Sequence, residues 1–270
     1  MVCLTFPFPL RLRDRLARVR FVHQLPAGVS NLSRGDLWGS PVPITSGRGA
    51  GNTLAIAEWT LATSLVLLKD LLPRPGPLHR RAFHPRQVAG KTMGVVGLGG
   101  IGREVARLAA ALSMRVIGSR RSADQPVACV ERLYGPANLH ALLAESDLVV
   151  LTTQLTRETE RLIDAAALAA MRPGAYLLNV ARGELVDEAA VLGALRSGHL
   201  GGFASDVYVG EFDHPPPAEL LAHERVLLTP HTSAMSDHAS GRSRAIFRDN
   251  LLRCLRGEPL LNQVDWERGY

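Results

Sequence analysis

Met93-Gly94-Val95-Val96-Gly97-Leu98-Gly99-Gly100-Ile101-Gly102-Arg103-Glu104-Val105 is the stretch on which the fold turns. A short β-branched run leads into glycines at the first, third and sixth positions of a turn, and Ile101, Val105 and Leu108 then recur at helical spacing. Each glycine has its own physical reason. Gly97 permits the tight turn, Gly99 lets backbone approach a pyrophosphate, and Gly102 lets helix and strand pack closely. The free N–H groups and the dipole at the helix start, Gly100 and Ile101 included, then attract phosphate. Residues 97–102 are therefore expected to hold a dinucleotide.

Working outward, the same alternation continues. Short apolar runs at 92–97, 114–118, 147–152, 175–180, 202–207 and 226–229 read as strands, and residues 101–112, 138–145, 164–171 and 188–197 read as the helices between them. Strands alternating with helical stretches make an α/β fold with a doubly wound parallel sheet of the Rossmann type. Before Lys91 the pattern differs: 19–23 reads as one strand and 52–72 as a long helix, with a second long helix at 236–256. The expected division is a dinucleotide-binding domain over 52–235, including the linking helix, and a second, partial domain built from 1–51 and 236–270.

Bulk composition narrows the function classes. The 270 residues are 46% hydrophobic and 21% charged, which suits an ordinary globular protein. The net charge of +6 is almost wholly arginine, since Lys69 and Lys91 are the only lysines. The densest basic stretch, Arg11 to Arg20, alternates with Leu12, Leu16 and Val19 and reads as a solvated amphipathic face, so no nucleic-acid partner is expected. The apolar stretch 54–72 contains Glu58, Lys69 and Asp70 and reads as a buried helix, so no membrane partner is expected either. Cys3, Cys129 and Cys254 have neither disulfide nor metal-ligand spacing; no metal and a cytoplasmic location follow.

Past the second strand an acid that would bond ribose hydroxyls is missing; the chain reads Gly118-Ser119-Arg120-Arg121. Ser119 with two guanidiniums suits a 2′-phosphate, so NADP is preferred over NAD. Asp124 lies too far past the strand end to substitute. Three further strand tips carry Arg182, Glu211 and His231. Side chains at the carboxyl ends of such strands converge on the ligand crevice. An imidazole supplies a proton near neutral pH, a carboxylate beside it orients it, and a guanidinium anchors a carboxylate or polarises a ketone.

With VGLGGIG at 96–102, NVARGELVDEAAV at 179–191 and LLTPH at 227–231, the chain closely resembles the D-isomer-specific 2-hydroxyacid dehydrogenases. The resemblance runs from about Val19 to Tyr270 and includes Gly257-Glu258-Pro259-Leu260 and Asn262-Gln263-Val264-Asp265. It implies hydride transfer between NAD(P)H and a small 2-keto or 2-hydroxy acid of the glyoxylate or hydroxypyruvate type. His231 is then the acid/base, Glu211 its partner and Arg182 the substrate anchor. It further implies coenzyme contacts from Thr152, Val180, Ala181 and Asp206, the last to the nicotinamide carboxamide, and a substrate-carboxylate loop at Ala27, Gly28 and Val29. A homodimer is implied as well.

The sequence departs from the family at Phe212, where proline usually follows the glutamate, at Gln154, where proline is usual, and at Trp59, where histidine is usual. The substrate domain, flavodoxin-like in the family, is expected to be short at its N-terminus: it usually carries roughly a hundred residues before the long helix, a common domain size, and about half are present. Such a lobe is expected to expose sheet edges. The opening MVCLTFPFPL lacks strand alternation. The alternative reading is a catalytically impaired nucleotide-binding or sensor protein of the same fold.

Overall fold

The computed structural model describes residues 2–4, 11–15, 18–29, 32, 35–49, 53–73, 83–121, 125–237 and 241–266. Asp124 and Tyr270 lie outside them, as does most of the opening decapeptide. The chain divides into two compact units, residues 1–53 with 234–270, and residues 54–233.

The smaller unit holds a three-stranded parallel sheet in the order β1 (Val2–Leu4), β2 (Val22–Gln24), β3 (Ile44–Ser46). Two of these strands escape a sequence reading. Each is three residues long, too short to show alternation, and Ile44 follows Pro41 and Pro43. The strand expected at 19–23 forms three residues later, at Val22–Gln24. Val22, Val29, Leu32, Leu37, Ile44 and Val264 make its core, with Leu12 and Val19 packed against it. Arg11, Arg13, Arg18 and Arg20 are exposed, and Arg13–Arg15 form a 3-10 turn. The closing helix begins at Gly241 and ends at Arg256. The ring of Phe247 on that helix lies 5.5 Å from the ring of the buried His23.

The larger unit is a seven-stranded parallel sheet: β4 (Thr92–Val96), β5 (Arg115–Ser119), β6 (Arg132–Tyr134), β7 (Leu148–Leu151), β8 (Ala175–Asn179), β9 (Leu200–Ser205) and β10 (Val226–Leu228). Their spatial order is β10-β9-β8-β7-β4-β5-β6. Chain order reverses between β4 and β7, so the crevice outside their carboxyl ends is where such sheets bind ligands. Edge strand β6 adds to the six expected. Of its three residues only Tyr134 is buried, so it carries no apolar run to read.

Period-two alternation sends successive side chains to opposite faces. Val149, Leu151, Leu177 and Phe203 face a core covered by α3 (Leu139–Glu145), α4 (Ala165–Ala170), α5 (Glu188–Arg196) and α6 (Ala218–Leu221). Leu148, Val150, Leu178 and Ala204 face the other, covered by α1 (Thr53–Leu68) and α2 (Gly100–Ala111). Two of the crossover helices start on aspartate caps. Asp164 accepts from the amide of Ala167, and Asp187 from that of Ala190. Helix α1 stops at Leu68, short of the expected 72: Asp70 takes a left-handed φ of 58°, which ends the helix.

Candidate active site

The glycine-rich turn leaves β4 at Val96 and becomes α2 at Gly100. Gly97 has φ +102°, and a Cβ there would stand 2.7 Å from Thr153 backbone. A Cβ on Gly102 would stand 2.0 Å from the Gly97 carbonyl oxygen. Both positions therefore exclude any side chain. Around Gly99, by contrast, nothing lies within 4 Å of where a Cβ would be. That open approach, beside the first amides of α2 and with no side chain capping them, fits a pyrophosphate. The Thr152 hydroxyl, at the end of β7, donates to the Gly97 carbonyl and fixes the turn from across the switch point. Ser119 ends β5 buried, and Arg120 and Arg121 follow; the Arg121 guanidinium lies 3.7 Å from the Glu158 carboxylate.

Loops at the carboxyl ends of β8, β9 and β10 carry the ionisable groups. Asn179 closes β8: its side-chain oxygen accepts from the Ala181 amide at 3.0 Å and its amide donates to the Arg182 carbonyl at 2.8 Å. This folds 180–182 into a tight Asx turn, burying Val180 and Ala181. Burial pushes the Arg182 guanidinium below its usual range, opposed by the negative charges of Glu211 and Glu184. An arginine remains charged nonetheless. The Cβ position of Gly183 is filled by Tyr208 backbone, so the β8 and β9 loops touch there.

Nδ1 of His231 stands 2.9 Å from Oε1 of Glu211. The carboxylate side chain is only 9% exposed whereas the imidazole is 41% exposed, so the acid sits behind the ring and the ring faces outward. When Nδ1 carries the hydrogen that bonds Glu211, Nε2 is left as the exchanging atom. His231 has φ 54°, an unusual left-handed conformation for this residue type. Its amide donates to Asp206 O at 2.8 Å and Thr229 O at 3.0 Å, which holds that conformation. Phe212, where the resemblance leads one to expect proline, places its ring 6.1 Å from the imidazole.

Asp206, for which the resemblance implies a coenzyme contact, is 1% exposed and committed to this turn. One carboxylate oxygen accepts from the Thr229 hydroxyl and the Thr232 amide at 2.8 Å, the other from the Ser233 amide at 2.8 Å. Glu188 plays a similar part on the neighbouring loop, accepting from the Val209 amide at 2.9 Å two residues before Glu211. Burial raises its pKa above the ordinary carboxylate value. Sequence reading missed Asn179 and Glu188, and marked Phe212 only as a departure from the family's proline. Only Asn179 left a signal, as an Asx residue at a strand end.

The loop at Ala27, Gly28 and Val29 belongs to the smaller unit. Gln24, buried at the end of β2, donates from its side-chain amide to the Gly28 carbonyl at 2.6 Å. The Gly47 amide donates to Gln24 O and Pro26 O, each at 3.0 Å. Val29 is buried, Gly28 half-buried and Ala27 exposed. Among the described residues no cluster of histidine, cysteine or carboxylate side chains could hold a metal ion, and no helix is long and apolar enough to cross a membrane.

Comparison with known proteins agrees with this geometry. The family model described as D-isomer specific 2-hydroxyacid dehydrogenase, NAD binding domain, matches residues 70–233. A curated (S)-sulfolactate dehydrogenase from Chromohalobacter salexigens is 34% identical over 253 residues, covering 90% of this chain and 81% of that protein. A glyoxylate reductase from Thermococcus kodakarensis is 34% identical over 256 residues, 91% of this chain and 76% of its own. Among solved structures, a D-isomer specific 2-hydroxyacid dehydrogenase from Xanthobacter autotrophicus in complex with NADPH and MES superposes with a TM-score of 0.85 at 32% identity, covering 100% of this chain and 85% of that one. The seven-stranded sheet, the glycine turn at its switch point and these matches together show that the chain belongs to the D-isomer specific 2-hydroxyacid dehydrogenase family.

Proposed function

We propose that the chain reduces a small 2-keto acid to its 2-hydroxy acid with NADPH, and runs the reverse oxidation with NADP. The bound coenzyme supplies or accepts the hydride at the substrate's C2. His231, protonated, donates its Nε2 proton to the ketone oxygen as that oxygen becomes a hydroxyl; in oxidation it takes the proton back. Glu211 holds the ring through Nδ1 and stabilises the imidazolium. Arg182 pairs with the substrate carboxylate or polarises its ketone. The amides of Ala27, Gly28 and Val29, in the smaller unit, are the substrate-carboxylate contacts that the family resemblance implies. The 2.9 Å bond between His231 and Glu211 is the observation that carries this reading.

The preference for NADP rests on Ser119, Arg120 and Arg121 and the missing acid. A homodimer is part of the proposal and rests on the family resemblance. A cytoplasmic location is supported by the free thiols of Cys129 and Cys254. Within the substrate class, glyoxylate and hydroxypyruvate are the first choices, the former being what the relative from Thermococcus kodakarensis is named for. The test is loss of reduced-nicotinamide absorbance with NADPH and NADH against a panel of glyoxylate, hydroxypyruvate, pyruvate and 3-sulfopyruvate. Turnover of at least one, faster with NADPH, is expected. Coenzyme binding without turnover of any of them would make the chain a sensor instead.

A further inference from the structure

At the end of the large sheet where β8 and β9 begin, away from the glycine turn, the same unit holds a cavity of about 240 Å³. Asp70, His84, Arg86, Gly174, Tyr176 and Arg225 are in its wall. Arg86 is held in place on three sides. Its amide donates to Leu68 O at 2.6 Å, its Nη1 to Gly174 O at 2.9 Å, and its guanidinium carbon lies 5.2 Å from the centroid of the Tyr176 ring. Asp70, the one carboxylate of the wall, already accepts from the His84 amide at 2.9 Å. Among the described residues the Arg225 guanidinium has a loose ion pair, 3.8 Å to the exposed Glu224.

Tyr176 is the informative residue. The residue is 7% exposed and packs in the apolar core, while its hydroxyl, which makes no hydrogen bond among the described residues, is not a fully buried atom and lies on the cavity wall. A hydroxyl that faces a cavity with no protein partner is free to bond whatever enters. Burial raises the Tyr176 pKa, Arg86 pulls it back, the Asp70 carboxylate raises it and Arg225 lowers it, so two cations and one acid bear on the same phenol. Two guanidiniums and an unsatisfied O–H form a donor set with no counterpart in the hydride-transfer site.

We propose that this cavity is an anion subsite, taking one small oxyanion, a phosphate or carboxylate group, between Arg86 and Arg225 with the Tyr176 hydroxyl as third donor. Its volume falls below the roughly 300–1,000 Å³ of pockets for larger ligands, which limits the occupant to inorganic phosphate or a short carboxylic acid. The site is separate from the coenzyme turn and does not depend on the proposed reaction.

Calorimetric titration of the whole chain with inorganic phosphate and, separately, with malonate, at constant ionic strength, tests this. Saturable binding of at least one anion is expected. Tyr176→Phe, which keeps the ring and its packing, should weaken that binding about tenfold, the scale of one hydrogen bond to a charged group, and Arg225→Gln by at least as much. Phosphate alone binding would assign the site to phosphates, malonate alone to carboxylates. If neither anion binds saturably, or if Tyr176→Phe changes the dissociation constant less than threefold, the proposal is overturned. An anion held at the glycine turn would give that second result. Should Arg225→Gln fail to fold, Tyr176→Phe decides alone.

Discussion

His231 and Glu211, which the family resemblance pairs, are bonded in the structure, although they stand on different loops. Nothing in a separation of twenty positions says that one imidazole nitrogen faces one carboxylate oxygen; that follows from β9 and β10 lying side by side. Arg120 can be tested singly. A guanidinium there favours a 2′-phosphate, and a carboxylate favours free ribose hydroxyls. The parent should bind NADPH more tightly than NADH, and Arg120→Asp should narrow the ratio by tenfold or so, about 1.4 kcal/mol. Equal dissociation constants in the parent would remove the idea.

His23 gives a second prediction at the residue scale. It is fully buried, its Nδ1 is 2.8 Å from the Thr45 hydroxyl, and its Nε2 has no partner among the described residues; burial holds its pKa below the ordinary value. As pH falls through about 6.5, the unfolded imidazole gains a proton that the folded one refuses. The stability this group contributes is therefore present above that pH and lost as pH falls toward the folded pKa. Melting temperatures at about pH 7.5 and 5.5 should fall further for the parent than for His23→Asn. Equal losses would contradict it.

At the level of elements, most strands and helices of the larger unit were readable because they are long enough to show their period, and the three-residue β10 because it is a wholly apolar run. Arg132–Tyr134, Ile44–Ser46 and Val2–Leu4 were not, being three residues each and at sheet edges or beside prolines. The glycine turn yields a paired test. Gly102→Ala forces a Cβ to within 2.0 Å of the Gly97 carbonyl. It should destabilise the fold by about 1–3 kcal/mol, as overpacking does, and weaken NADPH binding with it. Gly99→Ala meets nothing within 4 Å, so its melting temperature should stay near the parent's while NADPH binding weakens. Undiminished NADPH affinity in Gly99→Ala would show that the coenzyme phosphates do not approach this turn.

For the whole molecule, the doubly wound sheet was legible because six apolar strands alternate with amphipathic helices, and that pattern admits few other folds. The smaller unit was much less so: its strands are short, and its core is held by residues from both chain ends, Val22 and Ile44 with Val264. Polar scaffolding was invisible in both units. Asp206 reads as a ligand-facing acid in the sequence, and only the structure reveals how it ties Thr229, Thr232 and Ser233 around His231.

The proposed function makes the His231 imidazole the proton donor. The most direct measurement is keto-acid reduction by His231→Ala beside its NADPH dissociation constant. The account predicts turnover lowered by roughly 10² to 10⁴ with coenzyme affinity unchanged. Turnover equal to the parent's would contradict it.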